Sequence, residues 1–356
     1  MIDSLTSGGA QRQLVNLAIG FKNKGHEVCF LVYHRINFFK TILDRHDIPV
    51  YEVIRSNYIL RFFKMRAFIR RGKFDGVLSF LEASNFICQL SGLPGRKWSL
   101  VVGERSANPL IFSSLKKRIY RWFHGLADYV VANSHKNLKI VRQVNPFLPK
   151  SKCRVIYNII EFDKLRPLDV QSKASADVFR LLVIASHRYL KNLNGLIEAV
   201  KVLPSEDQQK LQVHWFGDST IDNSKSKAER KIEEYDLWHI FHFHEPKPEI
   251  REEMKKADAV GLFSFHEGLP NVICEAMALS KPVIAPAVSD IPMLIKNPRL
   301  TFNPQNHKEI SRSLSSLINM TEEERNSEGQ TNRERALSLF NNEENIENYL
   351  ALLSPV

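Results

Sequence analysis

The chain has 356 residues, enough for two domains with a core each, and its apolar share of 44% and charged share of 25% are ordinary for a soluble protein. No apolar run reaches the roughly 18–20 residues of a membrane span, and the polar start MIDSLTSGGAQRQ lacks the pattern of a signal peptide. The four cysteines are far apart and no His or Cys spacing is typical of zinc, so we expect neither disulfides nor a metal site.

The charge is distributed unevenly along the chain. Residues 1–165 contain 27 Lys and Arg against 11 Asp and Glu, a net charge of +16, whereas the remainder contains 23 against 28, a net charge of −5. This asymmetry indicates that the first half faces a polyanion or an anionic membrane. No nucleic-acid recognition module is visible, so we expect no nucleic-acid partner.

The first half of the chain predicts strands and helices in alternation, the order of a parallel α/β protein. A turn at Gly8 and Gly9 opens a helix over residues 8–24, and GHEVCFLVYH follows as a strand. A later strand, WSLVVGERSANP, ends in a polar loop that holds Glu104 and Arg105. These two side chains either contact a substrate or phosphate, or form a structural ion pair with each other.

Residues 55–73 and 112–123 are both basic and aromatic. On a helix, Leu60, Phe63 and Ala67 form an apolar stripe between basic residues. One interpretation is a helix packed on its own sheet with a charged outer face. The other is an interfacial helix that lies on anionic lipid.

The second half opens with FRLLVIASHRYLKNLNGLIEAV (179–200), which predicts a strand, a polar loop and a helix. The loop carries Arg188 and Lys191, two cations that could stabilise negative charge on a leaving group. A further strand ends at His244. No internal repeat of the sequence is apparent.

Residues 259–286 predict a strand, a loop, a helix and a second strand. Glu267 lies on the loop and Glu275 in the first turns of the helix. Ligands of open parallel sheets bind at this edge, where helix N-termini and loops offer N–H groups to anions. A ligand with phosphates and hydroxyl groups, such as a nucleotide-sugar, fits this combination. The alternative is a solvated loop carboxylate and a helix carboxylate favoured by the macrodipole.

The stretch EGLPNVICEAMALSKPVIA resembles the donor-binding signature of the retaining GT-B glycosyltransferases of family 4. The Gly-Gly turn followed by GHEV resembles the opening of the same family. The resemblance implies an α/β protein with two Rossmann-like domains that face each other across a cleft. Residues 1–160 would bind the acceptor, residues 161–336 would bind the nucleotide-sugar, and a helix in residues 337–356 would cross back to the first domain.

The resemblance also implies roles for individual residues. Glu267 would contact the transferred sugar and Glu275 the ribose, while Lys191 and Arg188 would hold the diphosphate. The acceptor would lie on the side of Glu104 and Arg105. The remaining predicted donor contacts are Gly8, Gly9, Gly268, Leu269, Asn271 and His244.

Three departures from the family pattern are visible. Only Met1 and Ile2 precede Asp3, where the family has a full first strand. Ser186 stands where the family usually has the Arg, so that Arg188 is closer to Lys191. A Gly that contacts the base in the family is replaced by His244 and its neighbour.

The function implied is transfer of a hexose or N-acetylhexosamine from a nucleotide-sugar, most often a UDP-sugar, with retention and without a metal cofactor. The acceptor would be a glycan or polyprenyl-diphosphate-linked glycan of surface polysaccharide or lipopolysaccharide biosynthesis. We expect a cytoplasmic enzyme, peripheral at the inner face of the cytoplasmic membrane. Alternatives are a nucleotide-sugar epimerase of the same fold and a non-catalytic basic binding protein. A nicotinamide-dependent dehydrogenase is disfavoured because no Gly-x-Gly-x-x-Gly follows a strand.

Overall fold

The computed structural model describes residues 1–106, 109–162, 165, 178–218, 222–247 and 249–354. The chain folds as two compact units. The first unit comprises Met1–Ile159 together with Phe340–Val356, and the second comprises Ile160–Leu339. The chain thus enters the second unit once and returns to the first for its last helix.

The strands of the first unit pair in parallel throughout the described residues, as the alternation of strands and helices predicts. A four-stranded sheet has the order β3-β4-β5-β6, and β1 pairs with β2. Their bounds are β1 (Phe30–Val32), β2 (Val50–Glu52), β3 (Gly76–Phe80), β4 (Ser99–Glu104), β5 (Tyr129–Ala132) and β6 (Cys153–Val155).

The segment before Asp3 occupies the place between β1 and β3. The Ile2 N–H donates to the Leu31 carbonyl at 3.2 Å, and the Phe80 N–H donates to the Met1 carbonyl at 3.2 Å. Ile2 is fully buried. Two residues therefore bond to the neighbours on both sides where the family resemblance implies a full strand.

Helices cover both faces of this sheet. The helices are α1 (Gly9–Asn23), α2 (Lys40–Arg45), α3 (Tyr58–Arg71), α4 (Glu82–Ser91), α5 (Leu115–Trp122), α6 (His135–Val144) and the C-terminal helix (Asn342–Leu353). One buried cluster joins α1 and the C-terminal helix to the sheet, and a second joins α3, α4 and α6 to it. Ser134 caps α6 as predicted, because its side chain accepts the Asn137 N–H at 3.1 Å.

Helix α3 packs on the sheet through a different face from the one that the sequence pattern favours. Met65 and Ile69 are buried, whereas Leu60 and Phe63 are exposed. The predicted apolar stripe therefore points away from the sheet.

The second unit has a six-stranded sheet in which every pairing is parallel. The strand order is β12-β11-β10-β7-β8-β9. The bounds are β7 (Phe179–Ile184), β8 (Leu211–Phe216), β9 (Phe241–His244), β10 (Ala259–Gly261), β11 (Val283–Pro286) and β12 (Thr301–Phe302). The central strand β10 and its neighbour β11 are apolar and fully buried, because both faces of a parallel sheet are covered there, whereas β9 alternates Phe and His.

Helices α7 to α12 of the second unit connect successive strands, and α13 and α14 follow the last strand. The predicted order over residues 259–286 is confirmed as β10, a loop, a helix and β11. Their bounds are α7 (Leu193–Lys201), α8 (Ser205–Lys210), α9 (Ser224–Glu234), α10 (Ile250–Lys256), α11 (Asn271–Ala278), α12 (Ile291–Leu294), α13 (His307–Ile318) and α14 (Glu322–Leu339). None of the helices within the described ranges is long and apolar enough to cross a bilayer.

Candidate functional site

The strand order of the second sheet reverses between β7 and β10, which are neighbours in space. The chain proceeds from β7 outward to β9, and then from β10 outward to β12 on the other side. Such a reversal is where open α/β sheets bind ligands, outside the carboxyl ends of the strands. The loops over residues 185–192 and 262–270 leave the sheet at this point.

The two loops bring a cation and a carboxylate into contact. The Lys191 Nζ lies 2.6 Å from the Glu267 Oε1, and the two side chains are 23% and 14% exposed. The Phe265 N–H donates to the Leu190 carbonyl at 3.0 Å. The pair is thus accessible, yet held by backbone contact between the loops.

Asn192 holds the two loops in place through its side-chain hydrogen bonds. It is 4% exposed and its backbone is left-handed, with φ 58° and ψ 39°. Its Nδ2 donates to the Phe263 carbonyl at 3.2 Å and to the Pro304 carbonyl at 2.8 Å, while its Oδ1 accepts the Gly195 N–H at 3.1 Å. One side chain therefore joins the lysine turn, the glutamate loop, the loop after β12 and the start of α7.

Asn192 is not among the residues that the sequence motifs predict for the site. The signal was present, because an Asn before a helix is a favoured N-cap and Asn tolerates the left-handed region better than most residues.

Glu275 belongs to α11, the helix that follows the glutamate loop, and is 5% exposed. Asn271 is the first residue of that helix. Gly268 and Leu269 are buried just before it, and the Gly268 carbonyl accepts the Ser289 hydroxyl at 2.6 Å. Glu267 and Glu275 thus belong to one strand–loop–helix segment whose loop is tied to the residues after β11.

The structure does not place Arg188 in the Lys191–Glu267 pair. Arg188 is exposed at the start of the short 3₁₀ turn that carries the lysine. Its charge acts on Asp222, whose carboxylate accepts the Tyr189 N–H at 3.0 Å and the Ser224 N–H at 2.9 Å. A hydrogen bond from the Ser224 side chain is the largest cause of the lowered pKa of Asp222, ahead of these two backbone bonds, and the charge of Arg188 is the smallest.

His244, the predicted base contact, lies at the end of β9 in a stack of rings. Its Nε2 is 3.0 Å from the His214 Nδ1, and its ring stacks on Phe216 at 4.4 Å. His242, also on β9, stacks on His214 at 4.8 Å between centroids. Burial lowers the pKa of His214 to about 4, and burial also lowers the pKa values of His242 and His244. The three rings are therefore neutral at pH 7.

His187 follows β7 and is 1% exposed, stacked on Trp215. Neither ring nitrogen has a hydrogen-bond partner among the described residues. Burial lowers its pKa to about 4, so the imidazole is neutral and does not replace the positive charge that Ser186 lacks.

In the first unit, Gly8 is the residue before α1 and Gly9 its first residue. A Cβ on Gly8 would lie 2.4 Å from the Gln11 Oε1, the end of a flexible side chain. The close approach therefore does not by itself require glycine, and the donor contact at this turn stays a prediction.

The proposed ion pair between Glu104 and Arg105 is wrong. Glu104 is 3% exposed and binds Arg121 Nη2 at 2.9 Å and His124 Nε2 at 2.8 Å. Arg105 instead donates to Asn158 Oδ1 at 2.6 Å. Both carboxylate oxygens of Glu104 are thus bound by side chains of the same unit. This favours a structural role for Glu104, with partners other than Arg105.

Within the described ranges, no group of three or more His, Cys, Asp and Glu side chains could hold a metal ion. The four cysteines are free thiols.

Family models match both units. Residues 167–335 match the model described as "Glycosyl transferases group 1", and residues 7–164 match "Glycosyltransferase Family 4". Together the two matches cover most of the chain.

Two curated relatives are similar at low identity. One is a Campylobacter jejuni protein named GalNAc-alpha-(1->4)-GalNAc-alpha-(1->3)-diNAcBac-PP-undecaprenol alpha-1,4-N-acetyl-D-galactosaminyltransferase, 24% identical over 78% of this chain and 75% of that protein. The other is the amylovoran biosynthesis glycosyltransferase AmsD of Erwinia amylovora, 26% identical over 73% of each chain.

Among solved structures, Anabaena HepE in complex with UDP and glucose superposes with a TM-score of 0.82. It is 19% identical and the match covers 98% of this chain and 97% of that one. At this identity the likeness establishes the fold and nothing finer.

Proposed function

The chain belongs to the GT-B glycosyltransferases of group 1 and family 4, and from this premise we propose that it transfers a sugar, with retention, from a UDP-sugar to a lipid-linked glycan. The observation that carries the donor site is the contact of Lys191 with Glu267 at the reversal of the second sheet.

The charges of this pair fit the two ends of the bond that breaks. The bond between the anomeric carbon and the phosphate oxygen releases negative charge on the diphosphate and leaves positive charge on the sugar. Lys191 stabilises the first and Glu267 the second, and both act in a partly buried site where such charges are effective. In the absence of donor each neutralises the other, at 2.6 Å.

The acceptor hydroxyl attacks the anomeric carbon on the face from which the diphosphate leaves. A new carbon–oxygen bond forms, the bond to phosphate breaks, and the hydroxyl proton passes to the departing phosphate oxygen. Lys191 supplies the positive charge at the diphosphate, and Arg188, which precedes the same turn, would add a second charge when donor binds, so the proposal requires no metal ion. Glu275 accepts hydrogen bonds from ribose hydroxyls.

The acceptor class is supported by the names of the curated relatives, which concern a diphosphate-undecaprenol glycan and amylovoran biosynthesis. The net charge of +16 over residues 1–165 also suits an acceptor that carries a diphosphate. We therefore place the enzyme in surface polysaccharide or lipopolysaccharide assembly, peripheral at the inner face of the cytoplasmic membrane.

The test is mass spectrometry of products from a panel of UDP-sugars with polyprenyl-diphosphate-linked oligosaccharides, with and without EDTA. We expect one sugar to be added, equally in EDTA. A change in the UDP-sugar without acceptor would instead identify an epimerase, and the absence of any reaction with any donor would contradict the proposal.

Glu267→Gln keeps the size of the side chain and removes its charge. We expect kcat to fall by about 10²–10³-fold, the usual loss when one group that stabilises transition-state charge is removed. Binding of UDP, measured by titration calorimetry, should persist and shows that the variant is folded. Glu322→Gln, at an exposed residue of α14, is the matched control. Transfer by Glu267→Gln at the normal rate would remove Glu267 from the mechanism.

A further inference from the structure

The first two turns of α3 expose four large apolar side chains. Tyr58 is 75% exposed, Ile59 70%, Leu60 47% and Phe63 58%. We call these four residues the apolar tip. Ile59 and Phe63 are four residues apart and so share one stripe of the helix. Because the helix anchors itself through Met65 and Ile69, the tip adds nothing to the core.

One side chain of α3 connects the apolar tip to the segment after β1. The Arg61 guanidinium lies over the Tyr58 ring at 4.6 Å and over the Tyr33 ring at 4.9 Å, which links the start of α3 to the end of β1. In the loop that follows Tyr33, Ile36 is 49% exposed and Phe38 50%. Four large apolar side chains exposed within six residues of one helix are uncommon on a monomer, and large exposed apolar patches mark docking surfaces.

The segment of the chain that carries the tip has charges of one sign. Residues 53–73 contain seven Lys and Arg and no Asp or Glu. Two of the seven serve the fold, because Arg66 and Arg70 donate to carbonyls at and beyond the end of α4, among them that of Ser91. Among the others, Lys64 and Arg71 are exposed and lie on the outer side of α3.

These features fit a bilayer surface. Aromatic and aliphatic side chains bury in the boundary between headgroups and acyl chains, while cations on the flank attract acidic headgroups. A protein partner of complementary shape would require a groove or acidic counterpart, and nothing in this surface specifies one.

We infer that the apolar tip inserts into the interface of a bilayer rich in acidic phospholipid, with Lys64 and Arg71 on the headgroups. The inference names the surface through which the enzyme reaches a lipid-linked acceptor, and this role of the surface rests on the proposed function. Tyr58, Ile59 and Phe63 enter the acyl boundary, and Arg61 keeps the Tyr58 ring in place.

The experiment is flotation of the full chain with vesicles of phosphatidylcholine alone or with 30 mol% phosphatidylglycerol (about one lipid in three), at low and high salt. We expect binding to the mixed vesicles that weakens as salt screens the charges. Ile59→Ser with Phe63→Ser should weaken partition at least tenfold, since each removes an apolar side chain that is buried only when the tip is in the bilayer. Lys64→Glu should weaken it by about tenfold or more on the acidic vesicles only.

Matched controls come from the second unit. Leu337→Ser removes an apolar residue of α14 that is 51% exposed, and Lys308→Glu reverses an exposed charge of α13. Both should bind vesicles as the unchanged chain does. Phe63→Trp should show a blue shift with vesicles and quenching by brominated lipid.

Three outcomes would overturn the inference. They are no binding of the unchanged chain to acidic vesicles at low salt, equal binding by the tip variants, and a dimer in gel filtration that Phe63→Ser dissociates. Titration with UDP separates this failure from that of the proposed function. If the chain binds UDP but no vesicles, the donor site is supported and the membrane surface is contradicted. If the chain binds vesicles but transfers no sugar, the membrane surface is supported and the proposed reaction is contradicted.

Discussion

Asn192 shows how a single side chain determines the geometry of the site. Three hydrogen bonds from one amide connect four segments, and the left-handed backbone turns the chain from the lysine turn into α7. Its neighbour Lys191 reaches Glu267 only if the two loops keep this spacing. We therefore regard Asn192 as a positioning residue.

Replacing Asn192 separates its backbone role from its hydrogen bonds. Asn192→Gly tolerates the positive φ and loses the amide, whereas Asn192→Ala also introduces backbone strain of about 1 kcal/mol. We expect kcat to fall about tenfold to a hundredfold in both, because small misplacements of reacting groups are costly. Stability should fall by about 2 kcal/mol in the glycine variant and further in the alanine variant.

The control is Asn341→Ala, which removes the N-cap of the C-terminal helix. It should cost about 1 kcal/mol of stability and leave kcat unchanged. Steady-state kinetics and urea unfolding of the three variants distinguish a positioning role of Asn192 from a purely structural one. If Asn192→Gly lost stability but kept kcat, the residue would be structural only.

At the scale of elements, a buried polar network joins β4 to the helices that cover it. Arg121 is 1% exposed and bridges Glu104 and Glu82, each at 2.9 Å. The carboxylate of Glu104 can only accept, so His124 Nε2 carries the proton, and His124 Nδ1 accepts from Gln89 at 2.8 Å. The network thus fixes α4 and α5 relative to the end of β4.

Removing Arg121 alone should cost more stability than removing Arg121 together with the charge of Glu104. Arg121→Met leaves the Glu104 carboxylate buried without its cation, which typically costs about 3–5 kcal/mol. The double variant with Glu104→Gln should recover part of this loss, since no buried charge then remains. Urea unfolding of the two single variants and the double variant measures the coupling. Additive losses would show that the two side chains do not stabilise each other.

The sequence predicted those elements whose signal is local. The motif over residues 259–286 contains its own strand, turn and helix signals, and the order was confirmed. The partner of Glu104 could not be predicted from its neighbours, because Arg121 approaches from a helix beyond the next loop. For α3 the pattern indicated an apolar stripe but not its direction, because the side facing the sheet depends on tertiary packing at Met65 and Ile69.

At the scale of the molecule, acid acts on the two units through different groups. In the first unit, burial would raise the pKa of Glu104, but the charge of Arg121 and the bonds from His124 outweigh it, so that the pKa is lowered. In the second unit, burial lowers the pKa of His187 and His214 to about 4. The unfolded chain binds protons more readily than the folded one in both cases, so stability is lost as pH falls.

The two units lose stability over different pH ranges, and the pH range of the second unit can be measured. The histidine contributions are complete above about pH 6.5 and decline from there to about pH 4, whereas that of Glu104 declines only below about 4.5. For the buried His187 the loss is about 1.4 kcal/mol per pH unit, or about 2 kcal/mol by pH 5.

Hydrogen exchange of peptides from β7 and β8, corrected for the intrinsic rate, should show this decline in stability. His187→Phe keeps a ring against Trp215 and should flatten the slope, while His239→Gln, at an exposed histidine, should not. An equal slope in His187→Phe and the unchanged chain would mean that protonation of His187 does not limit the second unit in acid.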